Sequence, residues 1–211
     1  MTQTLTRAFT IFTAMFWAIA VTAQDLPALY DIYGVDHDDM LNIREEASAS
    51  APIIAELPFN ARDIEVVRIT EDGRWGLVNA MESFGWVAMR FMVPVPSDGW
   101  AYSGAKLSCG GTEPFWDITF NSVAPGQAAY QAMAEEGTKS YSIDWQSGQV
   151  ARPDRVIGIG GSGPTGNFTA VLRQDACHDG MSDRNFGLVI DLFFHGNDDA
   201  YGLEGCCSVL P

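Results

Sequence analysis

The chain has 211 residues, with 27 acidic against 12 basic side chains and a formal charge of −15 at pH 7. Such a surface repels phosphate backbones, which disfavours direct nucleic-acid binding and also docking on an anionic lipid surface without metal ions. The length allows one large or two small domains.

Arg7 is followed by an apolar run, Ala8 to Ala20, and then by Val21-Thr22-Ala23. This is the layout of a secretory signal peptide over residues 1–23. The run is shorter than the roughly twenty residues that span a bilayer, and small residues precede a cut after Ala23. Gln24 is the expected mature N-terminus, with no cysteine after it to carry a lipid. The expected product is a soluble periplasmic or secreted protein without stable membrane insertion. It keeps 11 basic and 27 acidic side chains, near −16.

All four cysteines, Cys109, Cys177, Cys206 and Cys207, lie in the second half. In an exported chain they are expected as disulfides. A bond between the adjacent Cys206 and Cys207 closes a strained eight-membered ring, which leaves two pairings open. The loops closed are long enough to add about 3–5 kcal/mol in the chain-entropy description.

In Met40-Leu41-Asn42-Ile43-Arg44, Leu41 and Ile43 share one face. The apolar runs Ile53 to Leu57, Ile64 to Ile69, Trp75 to Val78 and Gly85 to Val87 follow, separated by turn residues such as Glu71-Asp72-Gly73. Short strands joined by turns predict a small barrel. Leu41-Asn42-Ile43-Arg44-Glu45, Ala49 through Ile54, Leu57-Pro58, Trp75-Gly76-Leu77-Val78 and Gly85 to Phe91, in this order, resemble the bacterial SH3 (SH3b) pattern over about Tyr30 to Phe91. The resemblance implies an SH3-like barrel over 24–93 that binds peptides or cell-wall fragments. Val93 to Gly99, with two prolines and a glycine, predicts an extended, exposed stretch, and a linker is set at 94–104.

Strand periodicity returns over 105–211, which predicts an all-β chain with a second antiparallel β domain, a small barrel or meander. Tyr141, Ile143 and Trp145 fall on one face, as do Phe168, Ala170 and Leu172, and again Leu188, Ile190, Leu192 and Phe194. Ala128 to Glu136 has helix-forming residues and Gly137 as a stop, so both a short helix and a strand remain open there. Gly111-Thr112-Glu113-Pro114-Phe115-Trp116, Cys177-His178-Asp179-Gly180-Met181-Ser182-Asp183 and Gly205-Cys206 resemble the signature of an uncharacterised family of exported bacterial proteins, often lipoproteins. That resemblance implies a small β fold, no established activity, and the pairing Cys177–Cys206 with Cys109–Cys207.

Two groups of residues are candidates for function. In the first half Tyr30, Tyr33, Trp75 and Trp86 offer aromatic area with a polar handle, and Arg44 is able to pair with a ligand carboxylate; Trp75 and Trp86 equally suit a barrel core, and Arg44 its own loop. In the second half Glu113, Trp116, His178, Asp179, Ser182 and Asp183, which the implied disulfides would draw together, form a cluster suited to acid/base work or to holding a cation, or to hydrogen bonds within a turn.

No cofactor or metal is expected. Gly158 to Gly163 matches G-x-G-x-x-G, but Pro164 and Gly166 follow where a helix should open, which makes it a glycine-rich loop. Asn167-Phe168-Thr169 is a weak glycosylation sequon, and Asp36-His37-Asp38-Asp39 a solvated acidic turn without the glycine and distal glutamate of a calcium loop. The histidines His37, His178 and His195 lack zinc-hydrolase spacing, Ser182 lies in no nucleophile elbow, and disulfides consume the thiols. The expected function is therefore non-catalytic recognition of a peptide or peptidoglycan fragment. The alternatives are an acidic interaction or inhibitor protein for a basic secreted partner, and an unrecognised enzyme using Glu113 with Asp179 or Asp183.

Overall fold

The computed structural model describes residues 25–102, 104–122, 126–196 and 200–211; the expected signal peptide lies outside them. The described chain is nearly all-β, with 62% of its residues in strands, as expected. Among the described residues no helix is long and apolar enough to cross a membrane.

Among the described residues, eight short strands make the N-terminal half: β1 (Ala28–Ile32), β2 (Met40–Arg44), β3 (Ile53–Pro58), β4 (Ile64–Val66), β5 (Arg68–Ile69), β6 (Trp75–Ala80), β7 (Ser83–Ala88) and β8 (Met92–Pro94). They form a three-stranded sheet in the order β4-β1-β8 and a five-stranded sheet in the order β3-β2-β7-β6-β5. Ala28, Tyr30, Ile32, Val66 and Met92 of the first sheet share one buried core with Leu41, Ile43, Val78 and Val87 of the second. Alternation explains which residues go inside, since successive side chains of a strand point to opposite faces. Leu41 and Ile43 are buried as expected. The run expected from Ile64 to Ile69 divides at Val67, whose N–H bonds to Leu77 O, so the chain leaves one sheet and joins the other.

Val95 N–H still donates to Leu29 O, and the stretch from Val93 to Gly99 is largely exposed. Trp100 then turns inward, 1% exposed, and packs with Ala101 into the core of the second half.

That second half is a closed barrel of eight antiparallel strands: β9 (Lys106–Thr112), β10 (Phe115–Asn121), β11 (Gln127–Ala132), β12 (Lys139–Gln149), β13 (Arg152–Gly163), β14 (Gly166–Cys177), β15 (Phe186–His195) and β16 (Tyr201–Leu210). Each strand pairs with the next, and β9 closes the ring against β16. Its interior is filled by alternating residues, among them Phe120, Tyr130, Tyr141 and Phe168, and the inward face of β15 reads Leu188, Ile190, Leu192 and Phe194 as expected. Of the segment left open between helix and strand, Ala128 to Ala132 lie in strand β11 and Met133 to Glu136 in the turn after it: Ala128, Tyr130 and Ala132 are buried with period two, and pairing on both sides outweighs the local helix preference of alanine.

Two expectations are corrected by β12 and β13. Trp145 does not share the inward face of Tyr141 and Ile143, because a bulge between Ile143 and Trp145 shifts the register by one residue and turns the indole outward. The glycine-rich segment from Gly158 to Gly163 is not a loop but the end of β13. Its glycines make room on both faces: a Cβ at Gly158 or Gly160 would overlap the Trp145 ring outside, and one at Gly161 would overlap Phe168 inside.

The two disulfides join Cys177 to Cys206 and Cys109 to Cys207. Adjacent residues of one strand point to opposite faces, so Cys207 meets Cys109 of β9 on the inside while Cys206 reaches Cys177 at the end of β14. Paired cysteines of this kind point to an oxidising compartment.

Candidate functional site

The candidates of the N-terminal half separate into core, surface and cleft. Tyr30, expected as a ligand contact, is 5% exposed within the core, and burial raises its pKa; it is corrected to a packing residue. Tyr33 is exposed, its N–H held by Phe91 O. Trp86 pairs across the ladder with Arg44 and Leu77 and lies under the Arg68 guanidinium, 5.6 Å from the ring centroid.

Trp75 is only partly buried and stands between two adjoining clefts. The first, of about 400 Å³, is lined by Asp36, Asp39, Arg44, Trp75, Arg90 and Phe91 among others. The second, of about 650 Å³, continues past Trp75, Arg90 and Ala49 towards Arg74. Arg44 Nη1 donates to Ala51 O at 2.6 Å, bracing the loop between β2 and β3. Arg90 lies over the Phe91 ring, 4.4 Å from its centroid, and forms no ion pair among the described residues. Asp36 and Asp39, expected as a solvated acidic turn, form such a turn through Asp39 N–H to Asp36 O, and that turn walls the cleft. The cleft thus offers an aromatic face, a cation and carboxylates within one concave surface.

The second cluster divides between a buried ring, exposed side chains and a hydrogen-bonded turn. Glu113 and Pro114 form the two-residue turn between β9 and β10, with Glu113 exposed. Trp116 is 5% exposed and stacks on Tyr130 with centroids 6.4 Å apart. Gly111 and Gly205 leave the space its indole occupies, since a Cβ at either position would overlap it. His178 is exposed. Asp179 accepts hydrogen bonds from the N–H groups of Met181 and Ser182 and from the Ser182 hydroxyl. Partial burial pushes its pKa up, but these bonds and the charge of Arg184 outweigh burial and hold it below the usual carboxylate value. A carboxylate held ionised in a turn is poorly suited to act as a general acid.

This turn leads into the contact with the N-terminal half. Asp183 N–H donates to Glu82 O at 2.9 Å, and the Asn79 side chain makes two bonds to the backbone of Asn185, at 2.8 and 2.9 Å. Glu65 accepts from Val209 N–H at 2.7 Å, and Gln174 donates to Leu26 O at 2.6 Å. Sequence reasoning missed Asn79, Glu65 and Arg90, since each reads locally as an ordinary surface residue. Among the described residues no group of three or more histidine, cysteine or acidic side chains is placed to hold a metal ion.

Comparison with known proteins adds no relative. No family model, curated protein or solved structure matches the chain.

Proposed function

We propose that the protein is a non-catalytic, exported binding protein, whose N-terminal half recognises a peptide or peptidoglycan fragment in the cleft beside Trp75. The observation that carries this reading is the juxtaposition of the partly buried Trp75 with Arg90, a cation without an ion pair among the described residues, along adjoining clefts. An aromatic side chain supplies contact area with little rotamer entropy to lose, and a guanidinium takes a carboxylate with charge-assisted hydrogen bonds. The disulfide-held barrel serves as the scaffold, and its cystines favour a periplasmic or secreted setting.

The test is retention of the chain on purified cell-wall sacculi. Trp75→Ala is expected to weaken retention about 30-fold, the loss associated with a hot-spot side chain worth about 2 kcal/mol. Trp86→Ala, outside the cleft, should leave it unchanged. Equal retention of wild type and Trp75→Ala, or retention of neither, counts against the proposal. The charge of −15 favours a second reading, a basic secreted partner. Binding of that kind weakens steeply with ionic strength, whereas capture in the cleft depends on Trp75.

A further inference from the structure

We propose that the outer wall of the barrel from β12 to β16 is a binding site separate from the cleft at Trp75, for a neutral glycan chain that stacks on Trp145 and Phe193. Register sets these two rings in one row. Trp145, Gly160, Thr169, Phe193 and Gly202 stand opposite one another on β12, β13, β14, β15 and β16. Their chain neighbours Ile159, Phe168, Ala170, Leu192 and Phe194 fill the interior, so the row faces outward. With neighbouring strands about 4.8 Å apart, the step from β12 to β15 is about 14 Å, longer than a single sugar ring.

Both rings lie on glycine. A Cβ at Gly160 would overlap the Trp145 indole at its nitrogen and one at Gly158 would crowd its far edge, so the ring is laid flat along β13. A Cβ at Gly202 would likewise overlap the Phe193 ring. Although bedded on backbone in this way, Trp145 stays 48% and Phe193 50% exposed. Exposed aromatics scattered singly are ordinary on a protein surface. Two in one row, each on a glycine that weakens its own strand, are not what packing alone selects.

Between the rings the wall is polar without unpaired charge. The Thr169 hydroxyl and His195 Nε2 share a hydrogen bond of 3.0 Å, and Arg173 Nη1 donates to Asp191 Oδ2 at 2.5 Å. On the outward positions of β13 from Val156 to Ser162, β14 from Asn167 to Arg173 and β15 from Val189 to His195, Arg173 and Asp191 are the ionisable groups besides His195, and they pair. Glu204, opposite Asp191 on β16, bounds the strip. On a chain of charge −15, such a strip complements neither a basic segment nor an anion, but it does complement an uncharged ligand. A sugar ring fits the remaining chemistry. Its C–H face is apolar and slightly positive and meets the negative face of an aromatic ring, while its hydroxyls find donors and acceptors in the side chains alongside.

Amide NMR of the chain tests this, during titration with cellohexaose and with chitohexaose, neutral β-linked chains of glucose and of N-acetylglucosamine. With at least one of them, saturable shifts are expected at the Trp145 indole N–H and at the Thr169, Val171 and Phe193 amides, insensitive to added salt, while Trp75 and Arg90 do not move. Trp145→Ala is expected to weaken the binding about 10-fold. The proposal is overturned by the absence of saturable shifts with both saccharides, by shifts that gather at Trp75, or by equal affinity in Trp145→Ala. Shifts that vanish on adding salt overturn it too, since they indicate a charged ligand. Should Trp145→Ala not fold, the map of shifts on the unaltered chain decides.

Discussion

The two halves solve the problem of strand edges in opposite ways. The C-terminal barrel has none, because β9 closes on β16, and both disulfides lie within it. The N-terminal half leaves β3, β5, β4 and β8 at sheet edges and has no cross-link. Closure and cystines favour rigidity, since they remove unpaired backbone and restrict the unfolded chain. Short open sheets leave room for clefts such as the one beside Trp75. The division teaches that the half with the candidate recognition surface is the half without covalent support, and that it rests on the other through a polar seam.

The largest expected effect sharpens this contrast. Cys109 and Cys207 are 98 residues apart, and replacing both by alanine should cost the barrel about 4–5 kcal/mol in denaturant unfolding. Intrinsic fluorescence is dominated in both halves by tryptophan, so amide exchange is the better probe, resolved by segment. If protection falls as much in β2 and β7 as in β14 and β15, the halves form one cooperative unit and the contrast fails.

A smaller effect tests the outer wall of the barrel. Gly160→Val places a branched side chain where the Trp145 indole lies. It should displace the ring and cost about 1–3 kcal/mol, as overpacking does, with a matching change in tryptophan emission. Trp145→Ala in the same background should relieve most of the loss. If it does not, the glycines of β13 serve some purpose other than accommodating that ring.

Much of this architecture was legible from the residues, and the exceptions have physical causes. Alternation marked β2, where Leu41 and Ile43 are buried, and an apolar run marked β6, where Leu77 and Val78 are. Neither signal marked β1 and β8, which are short and flanked or ended by Pro27 and Pro94. Alternation assigned Trp145 to the wrong face because a bulge adds one residue to the count. At the candidate cleft, Trp75 stood out by its size, whereas Arg90 gave no local signal. The acidic turn looked like solvated surface because its role as a wall depends on the return of the chain at Trp75 and Arg90. Glu65 was illegible for the same reason, its partner Val209 being 144 positions away.

The smallest expected effect concerns the seam itself. Asn79 presents its amide to the backbone of Asn185 as a strand neighbour would, donating to the carbonyl and accepting from the N–H. Asn79→Ala removes both bonds, and at about 0.5–1.5 kcal/mol each the docking of the halves should weaken by about 1–3 kcal/mol. The loss is read as faster exchange of the Asn185 amide, without change in the protection of β10 or β13. Exchange at Asn185 that does not respond would mean that water replaces the amide at no cost, and that the halves are held together mainly by the contacts at Glu65, Gln174 and Asp183.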